Sequence, residues 1–174
     1  MKIYTLGHGT KTLDEFLMIL KAHRIRQVVD ARSIPRSRHN PQFNRETLSC
    51  FLRNRRIGYR HMKALGGLRR ARPDSENMGW RSESFRGFAD YMQTPDFEAA
   101  VKKLVSVAEN KATAVICAES VPWRCHRSLI ADALKVRGFD VFHIYSPLRA
   151  APHKLTSMAL VNGARITYPP LGFI

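Results

Sequence analysis

The stretch VICAESVPWRCHRSLIADAL, Val115 to Leu134, gathers two thiols, a carboxylate, an imidazole and two guanidiniums between an apolar run and a pattern with helical spacing. Cys117 and Glu119 close the run; Arg124, Cys125, His126 and Arg127 open the helix. Helix amides and nearby cations both stabilise a thiolate, so a cysteine in this position is a candidate nucleophile or redox thiol. The same surroundings make an anion site, with Arg124 and Arg127 as donors. Glu119 could orient an arginine or act as general base, and His126 could move protons. A purely structural knot is the plain alternative. The spacing C-x7-C-H fits no standard zinc pattern, so no metal and no cofactor are expected. A Cys-x5-Arg phosphatase loop also fails, because Trp123 stands where its arginine belongs.

Other groups fall at the ends of apolar runs. Gly7, His8 and Gly9 follow the first run, in a turn whose amides could cradle an anion or that needs glycine for backbone reasons alone. Asp30 and Arg32 end the second run on one side of an extended chain, and they either pair with each other or serve catalysis. Arg36, Arg38 and His39 follow in a loop suited to phosphate, and Tyr59 and His61 lie close together further on. The expected proton-transfer and nucleophilic set is His8, Asp30, Glu119, Cys125 and His126. The expected phosphate or ligand contacts are Gly7, Gly9, Arg32, Arg36, Arg38, Tyr59, Arg124 and Arg127.

The elements that must position these groups read as strand and helix in alternation. Lys2–Leu6 is a strand. The segment from Thr12 to His23 is a helix, with Leu13, Phe16, Leu17 and Leu20 on one face and a capping box at Thr12 and Glu15. Ile25–Ala31 is a second strand, and such a strand–helix–strand unit favours parallel pairing. A helix capped by Asn44 and stopped by Gly58 follows, with Cys50 expected as a buried packer. The residues from Tyr59 to Trp80 read as a long loop in which Trp80 packs onto the core. Helices are expected over SESFRGFADYMQ, from Pro95 onward, and over Arg127–Val136. Strands are expected over ATAVICAE and FDVFHIYS, and a hairpin around Asn162-Gly163. The fold class is α/β: one domain over 1–174, a mainly parallel sheet with helices on both faces, and a C-terminal β-hairpin. In such a sheet ligands bind beyond the carboxyl ends of the strands, which is where the groups above converge.

Composition sets the partner class. A chain of 174 residues with 44% hydrophobic residues supports a full core. No apolar run is long enough to span a membrane, and the start, MKIYTLGHGT, is too quickly polar for a secretory leader. Cytoplasm is therefore the expected compartment, and three cysteines argue against a disulfide framework. The net charge is +15, and residues 32–86 hold fourteen lysines and arginines against four acids. Nearly all these cations are arginine, which grips phosphate with two donors and stacks on bases. A nucleic acid or nucleotide is the expected partner. A bland basic surface is the competing reading.

Five blocks carry a family resemblance: YTLGHGTKTLDEFLMIL, VVDARSIPRSRHNPQF, YRHMKALGG, CAESVPWRCHRSLIADAL and PHKLTSMALVNGARITYP. In this order they resemble the proteins grouped as domain of unknown function family 488. The resemblance implies a single α/β domain in a mainly bacterial and archaeal, cytoplasmic family, and it supplies no reaction. The family's blocks fall on Gly7, His8, Asp30, Arg32, Pro35, Ser37, Tyr59, Leu65, Gly66, Gly67, Cys117, Glu119, Cys125, His126 and Arg127. One departure is Gly9, where the family often has serine, so a hydroxyl that could bind an anion is missing.

Three functions compete at this point. The first is an enzyme acting on nucleic acid or a nucleotide, with phosphate held by arginine. The second is a non-catalytic nucleic-acid-binding module. The third is a thiol-dependent redox or sulfur-handling protein using Cys117 and Cys125. The terminal hairpin also offers an edge to a second copy, so a homodimer is an option.

Overall fold

The computed structural model describes residues 1–170, so 171–174 of the expected domain lie outside the described residues. The elements run β1 (Lys2–Gly7), α1 (Leu13–Ala22), β2 (Gln27–Asp30), α2 (Arg45–Arg53), β3 (Gly58–His61), α3 (Glu83–Tyr91), α4 (Pro95–Ala108), β4 (Thr113–Cys117), α5 (Arg127–Val136), β5 (Asp140–Ser146), β6 (Arg149–Pro152), β7 (Leu160–Asn162) and β8 (Arg165–Thr167). The main sheet has the order β3-β2-β4-β1-β5-β6. Its first five strands are parallel, and β6 pairs antiparallel with β5. Strands β7 and β8 form a separate hairpin. The α/β fold, the mainly parallel sheet and the terminal hairpin are as the sequence implies.

Two apolar cores flank the sheet, because alternate strand residues face opposite ways. Val29 and Val115 pack with Phe88, Val101, Leu104, Leu129 and Ile130 from α3, α4 and α5. Val28, Ala114 and Ile116 pack with Phe16, Leu20, Leu48 and Leu52 from α1 and α2. The loops after β1 and β2 therefore lead to helices on one face, and those after β3 and β4 to helices on the other. Strand β4 lies between β2 and β1, so neighbouring chains leave its carboxyl end in opposite directions and open a crevice there.

Local chemistry explains the helix ends. Thr12 accepts from the Glu15 amide at 3.1 Å while the Glu15 carboxylate accepts from the Thr12 amide at 2.7 Å. Thr94 caps α4, with Pro95 at its first position. The hairpin turns through Gly163 and Ala164, and Gly163 takes the positive φ of 59° that such a two-residue loop requires.

Several expectations need correction. Residues 58–61 are not loop but strand β3, paired in parallel with β2. Helix α2 ends at Arg53, so Gly58 starts a strand instead of stopping that helix. Asn44 makes no side-chain cap to α2; its Oδ1 accepts from the Ser37 amide at 2.8 Å and fixes the preceding loop. Cys50 is exposed, not buried. It sits two residues from Leu48 and from Leu52, which are the buried positions of α2, and that places it on the opposite side of the helix. Strand β6 is an addition to the expected elements. Trp80 does pack inward, against Phe85 and Tyr168 with ring centroids at 4.7 and 5.6 Å. No helix among the described residues is long and apolar enough to cross a membrane.

Candidate functional site at the strand ends

The crevice holds two adjoining hollows of about 360 and 330 Å³ that share a wall of Arg32, Ile34, Ala118 and Glu119. The first is floored by Cys117, Cys125 and His126 and edged by Arg124. The second is lined by His8, Gly9, Arg36 and Ser37 among others. Gly7, Asp30, Arg38, Tyr59 and Arg127 line neither. A larger hollow of about 590 Å³ beside α4 is lined by Lys63, Arg69 and Lys103 and contains no thiol or imidazole.

The groups after β1 and β2 form one closed network. Asp30 is fully buried and accepts from Arg32 Nε at 2.8 Å, Arg32 Nη2 at 2.6 Å, the Arg32 amide at 3.1 Å and the Tyr59 hydroxyl at 2.7 Å. Arg32 also donates to the Phe43 carbonyl at 2.8 Å and reaches His8 Nε2 at 3.3 Å. The pairing of Asp30 with Arg32 is therefore realised. It uses a guanidinium that the sequence offers to phosphate. Burial alone would lower the Arg32 pKa, but Asp30's hydrogen bonds and charge carry it above the ordinary value. Burial raises the Tyr59 pKa, and the Asp30 charge adds to the rise.

His8 is 2% exposed and stacked on Phe43 at 4.2 Å. Its Nδ1 donates to the Gly9 carbonyl at 2.8 Å, so Nε2 is the acceptor facing Arg32. Burial lowers its pKa to about 4, and the Arg32 charge works in the same direction. The amides of His8 and Gly9 donate to the carbonyls of Cys117 and Ala118 at 3.0 and 2.8 Å, so this turn extends the sheet and offers neither amide to an anion. Gly7 is required by close approach: a Cβ there would run into the Glu119 carbonyl.

A pH dependence follows. The unfolded imidazole of His8 takes a proton near pH 6.5, whereas the folded one resists it until about pH 4. The unfolded chain then binds more protons in this window, so stability is full above it and declines as pH falls through it. His143 is shifted the same way by burial and by His153, to about 3. The urea midpoint should drop on acidification from about pH 7 to 4.5, with a smaller drop in His8→Gln. A flat midpoint in the wild type would contradict this.

The segment between β4 and α5 brings its two ends together. It leaves β4 at Cys117, turns through a short 3-10 helix at Pro122–Arg124, and enters α5 through Cys125 and His126. Arg127 is 1% exposed. Its guanidinium donates to the carbonyls of Glu119 and Ser120, the latter at 2.9 Å, while its Nε has no partner among the described residues. This arginine is a clasp on the loop, not a free anion donor. Three candidate groups of the segment stay open instead: Glu119 and Arg124 are exposed, and His126 is half-buried.

His126 is held by its far nitrogen. Nε2 donates to the carbonyls of Ala31 and Leu65 at 3.1 and 3.0 Å. Carbonyls only accept, so the proton sits on Nε2, and in the neutral ring Nδ1 presents its lone pair. That lone pair faces Cys117 Sγ at 4.0 Å and Cys125 Sγ at 3.8 Å. The three donor atoms lie within 4.8 Å of one another. A hydrogen bond from Cys117 lowers the Cys125 pKa to about 7, helped by the charge and amide of Arg127, while Cys117 is pushed up.

The structure thus brings Arg32, Glu119, Arg124, Cys125 and His126 to one hollow and His8, Gly9, Arg32, Arg36 and Glu119 to its neighbour. It leaves Asp30 sealed behind them, and the half-buried Tyr59 lines neither hollow. Ser84 and Phe85, at the start of α3, complete the first hollow, and nothing in their local sequence marks them. The signal for Gly67 is the Gly66-Gly67 pair: a Cβ on Gly67 would strike the His126 ring.

A family model described as Domain of unknown function DUF488 matches residues 12–134. No curated protein and no solved structure matches the chain.

Proposed function

Because the chain belongs to the DUF488 family, whose description carries no activity, we propose a function from the crevice itself: it binds a phosphate-bearing ligand, a nucleotide or nucleic acid, and acts on it. The observation that carries this reading is the placement of Arg36 and Arg124. Both are exposed, neither has a carboxylate partner among the described residues, and they border the two adjoining hollows with Glu119 in the shared wall. Cations held apart in this way suit a polyanion laid across both hollows. Glu119 is the exposed carboxylate able to accept a proton there, and the thiol and imidazole floor lies directly beneath. The charge of +15 adds long-range attraction. Free thiols at Cys50, Cys117 and Cys125 fit a reducing compartment such as the cytoplasm.

The test is electrophoretic binding to single- and double-stranded DNA and RNA across a salt series. Affinity should fall steeply with salt, and the Arg36→Ala/Arg124→Ala double variant should lower the slope by about 2, one for each phosphate no longer neutralised. Absence of binding to all four at low salt ends the nucleic-acid reading, leaving small nucleotides to be tested by calorimetry.

A thiol-based reading is favoured by one observation, the approach of Cys117 and Cys125 in one buried cluster with Cys125 acidified. It requires that mild oxidation join these two cysteines in a disulfide while Cys50 stays free.

A further inference from the structure

We propose that Cys117 Sγ, Cys125 Sγ and His126 Nδ1 form a binding site for one divalent ion of the zinc class, with a fourth position opening on the crevice. The inference does not depend on the nucleic-acid reading, since it concerns the floor of the hollow and not its arginine rim.

Geometry is the first support. A tetrahedral zinc ion with Zn–S near 2.3 Å and Zn–N near 2.0–2.1 Å sets its donors about 3.6–3.8 Å apart. The two S···N separations here are 3.8 and 4.0 Å, and no pair of the three donor atoms exceeds 4.8 Å. Contractions of a few tenths of an ångström on the S···N edges, and at most about 1 Å on the S···S edge, complete the site. Such shifts are within the reach of side-chain rotation.

The second support is the outer bond of the imidazole. Ligating histidines donate their other N–H to a carboxylate or backbone carbonyl, which fixes the tautomer and aims the free nitrogen. His126 Nε2 has two such carbonyls, of Ala31 and Leu65, from two separate segments. Gly67 lies against the ring, where any Cβ would push it out of place. Phe88 covers it at 5.0 Å between centroids. An imidazole that only packed against the two sulfurs would need neither this precision of tautomer nor this seating.

Ligand chemistry narrows the ion. Two thiolates and one imidazole are soft and borderline donors that favour zinc-like ions over magnesium or calcium. Two thiolates also cancel a divalent charge, which suits residues only 7% and 3% exposed. The scaffold supplies rigid ends, because Cys117 closes β4 and His126 caps α5. Three protein ligands next to an open hollow leave room for water or substrate, the pattern of reactive rather than purely structural zinc. A water bound there would release its proton more easily, and the Glu119 carboxylate on the same hollow is free to take it. The linear spacing C-x7-C-H conceals this arrangement, since the turn at Pro122–Arg124 folds the two cysteines back onto each other.

The experiment is a cobalt titration of the full chain, stripped by a chelator and kept reduced under anaerobic conditions. The expected result is saturation at one equivalent of Co²⁺, with a thiolate-to-cobalt charge-transfer band and the intense visible bands of tetrahedral cobalt, all bleached by Zn²⁺. Cys117→Ser, Cys125→Ser and His126→Gln should each weaken binding at least about 100-fold, and Cys50→Ser should leave it unchanged. Lack of a charge-transfer band in the wild type, or its survival in both Cys117→Ser and Cys125→Ser, overturns the site. Should these variants fail to fold, the wild type decides: in denaturant-free buffer Zn²⁺ should slow alkylation of Cys117 and Cys125 well below their rate in chelator while leaving Cys50 unchanged, and equal rates with Zn²⁺ and with chelator overturn the site as well. A chain that binds cobalt but not nucleic acid would refute the polyanion reading and leave the metal site standing.

Discussion

Replacing Asp30 with Ala is expected to destabilise the fold by about 3–5 kcal/mol, because it removes one partner of a buried ion pair and strands the other. Asp30 is 0% exposed and Arg32 6%. Without the carboxylate, the Arg32 guanidinium keeps only the Phe43 carbonyl and His8, and the Tyr59 hydroxyl loses its acceptor. The measurement is urea unfolding, read as a drop in midpoint at constant slope. A double replacement, Asp30→Leu with Arg32→Met, should recover much of the loss, since exchanging a whole buried pair for apolar side chains is often neutral. A loss below about 1 kcal/mol in Asp30→Ala would show that the network contributes little to folding.

The second large effect is expected at Asp132, on α5. This buried carboxylate accepts from His153 Nε2 at 2.8 Å, the Thr156 amide at 3.0 Å, the Thr156 hydroxyl at 2.6 Å and the Tyr168 hydroxyl at 2.9 Å. The chain continues inward: His153 Nδ1 meets His143 Nε2 at 2.8 Å, and His143 Nδ1 meets Thr5 at 2.6 Å. The carboxylate thus sets both histidine tautomers and ties the segment from His153 to Tyr168 onto the α5 side of the sheet. Asp132→Ala leaves several buried donors without an acceptor, each costing about 1–3 kcal/mol, so a loss of at least about 3 kcal/mol is expected. Amide exchange should accelerate first in β7, β8 and the residues leading to them. Uniform acceleration over the whole chain would contradict this local role.

These two carboxylates mark the boundary of what the residues alone disclose. Helix α1 is legible because its capping box and apolar face are local, and β4 because Ala114–Cys117 form an unbroken apolar run. Strand β3 is not, since its pattern GYRH has no alternation and it pairs only with β2. Strand β6 is an edge that ends in Pro152, a residue that argues against strand from sequence. At the site, the strand-end rule locates most groups, but it does not tell an available cation from an engaged one. Arg32 and Arg124 look alike in sequence; one is bound to Asp30 inside the protein and the other faces solvent. Arg127 is likewise engaged, through carbonyls of its own preceding loop. The meeting of His126 with Ala31 and Leu65 joins segments 95 and 61 residues away, which no local spacing encodes.

The sheet order also has a consequence for biosynthesis. The earliest-made strand of this sheet, β1, takes its two neighbours from β4 and β5, which are made more than a hundred residues later. Until β5 has emerged, β1 keeps at least one backbone edge open. A nascent chain therefore needs shelter for β1 until β5 is made, and products stalled before that point should be the species that aggregate.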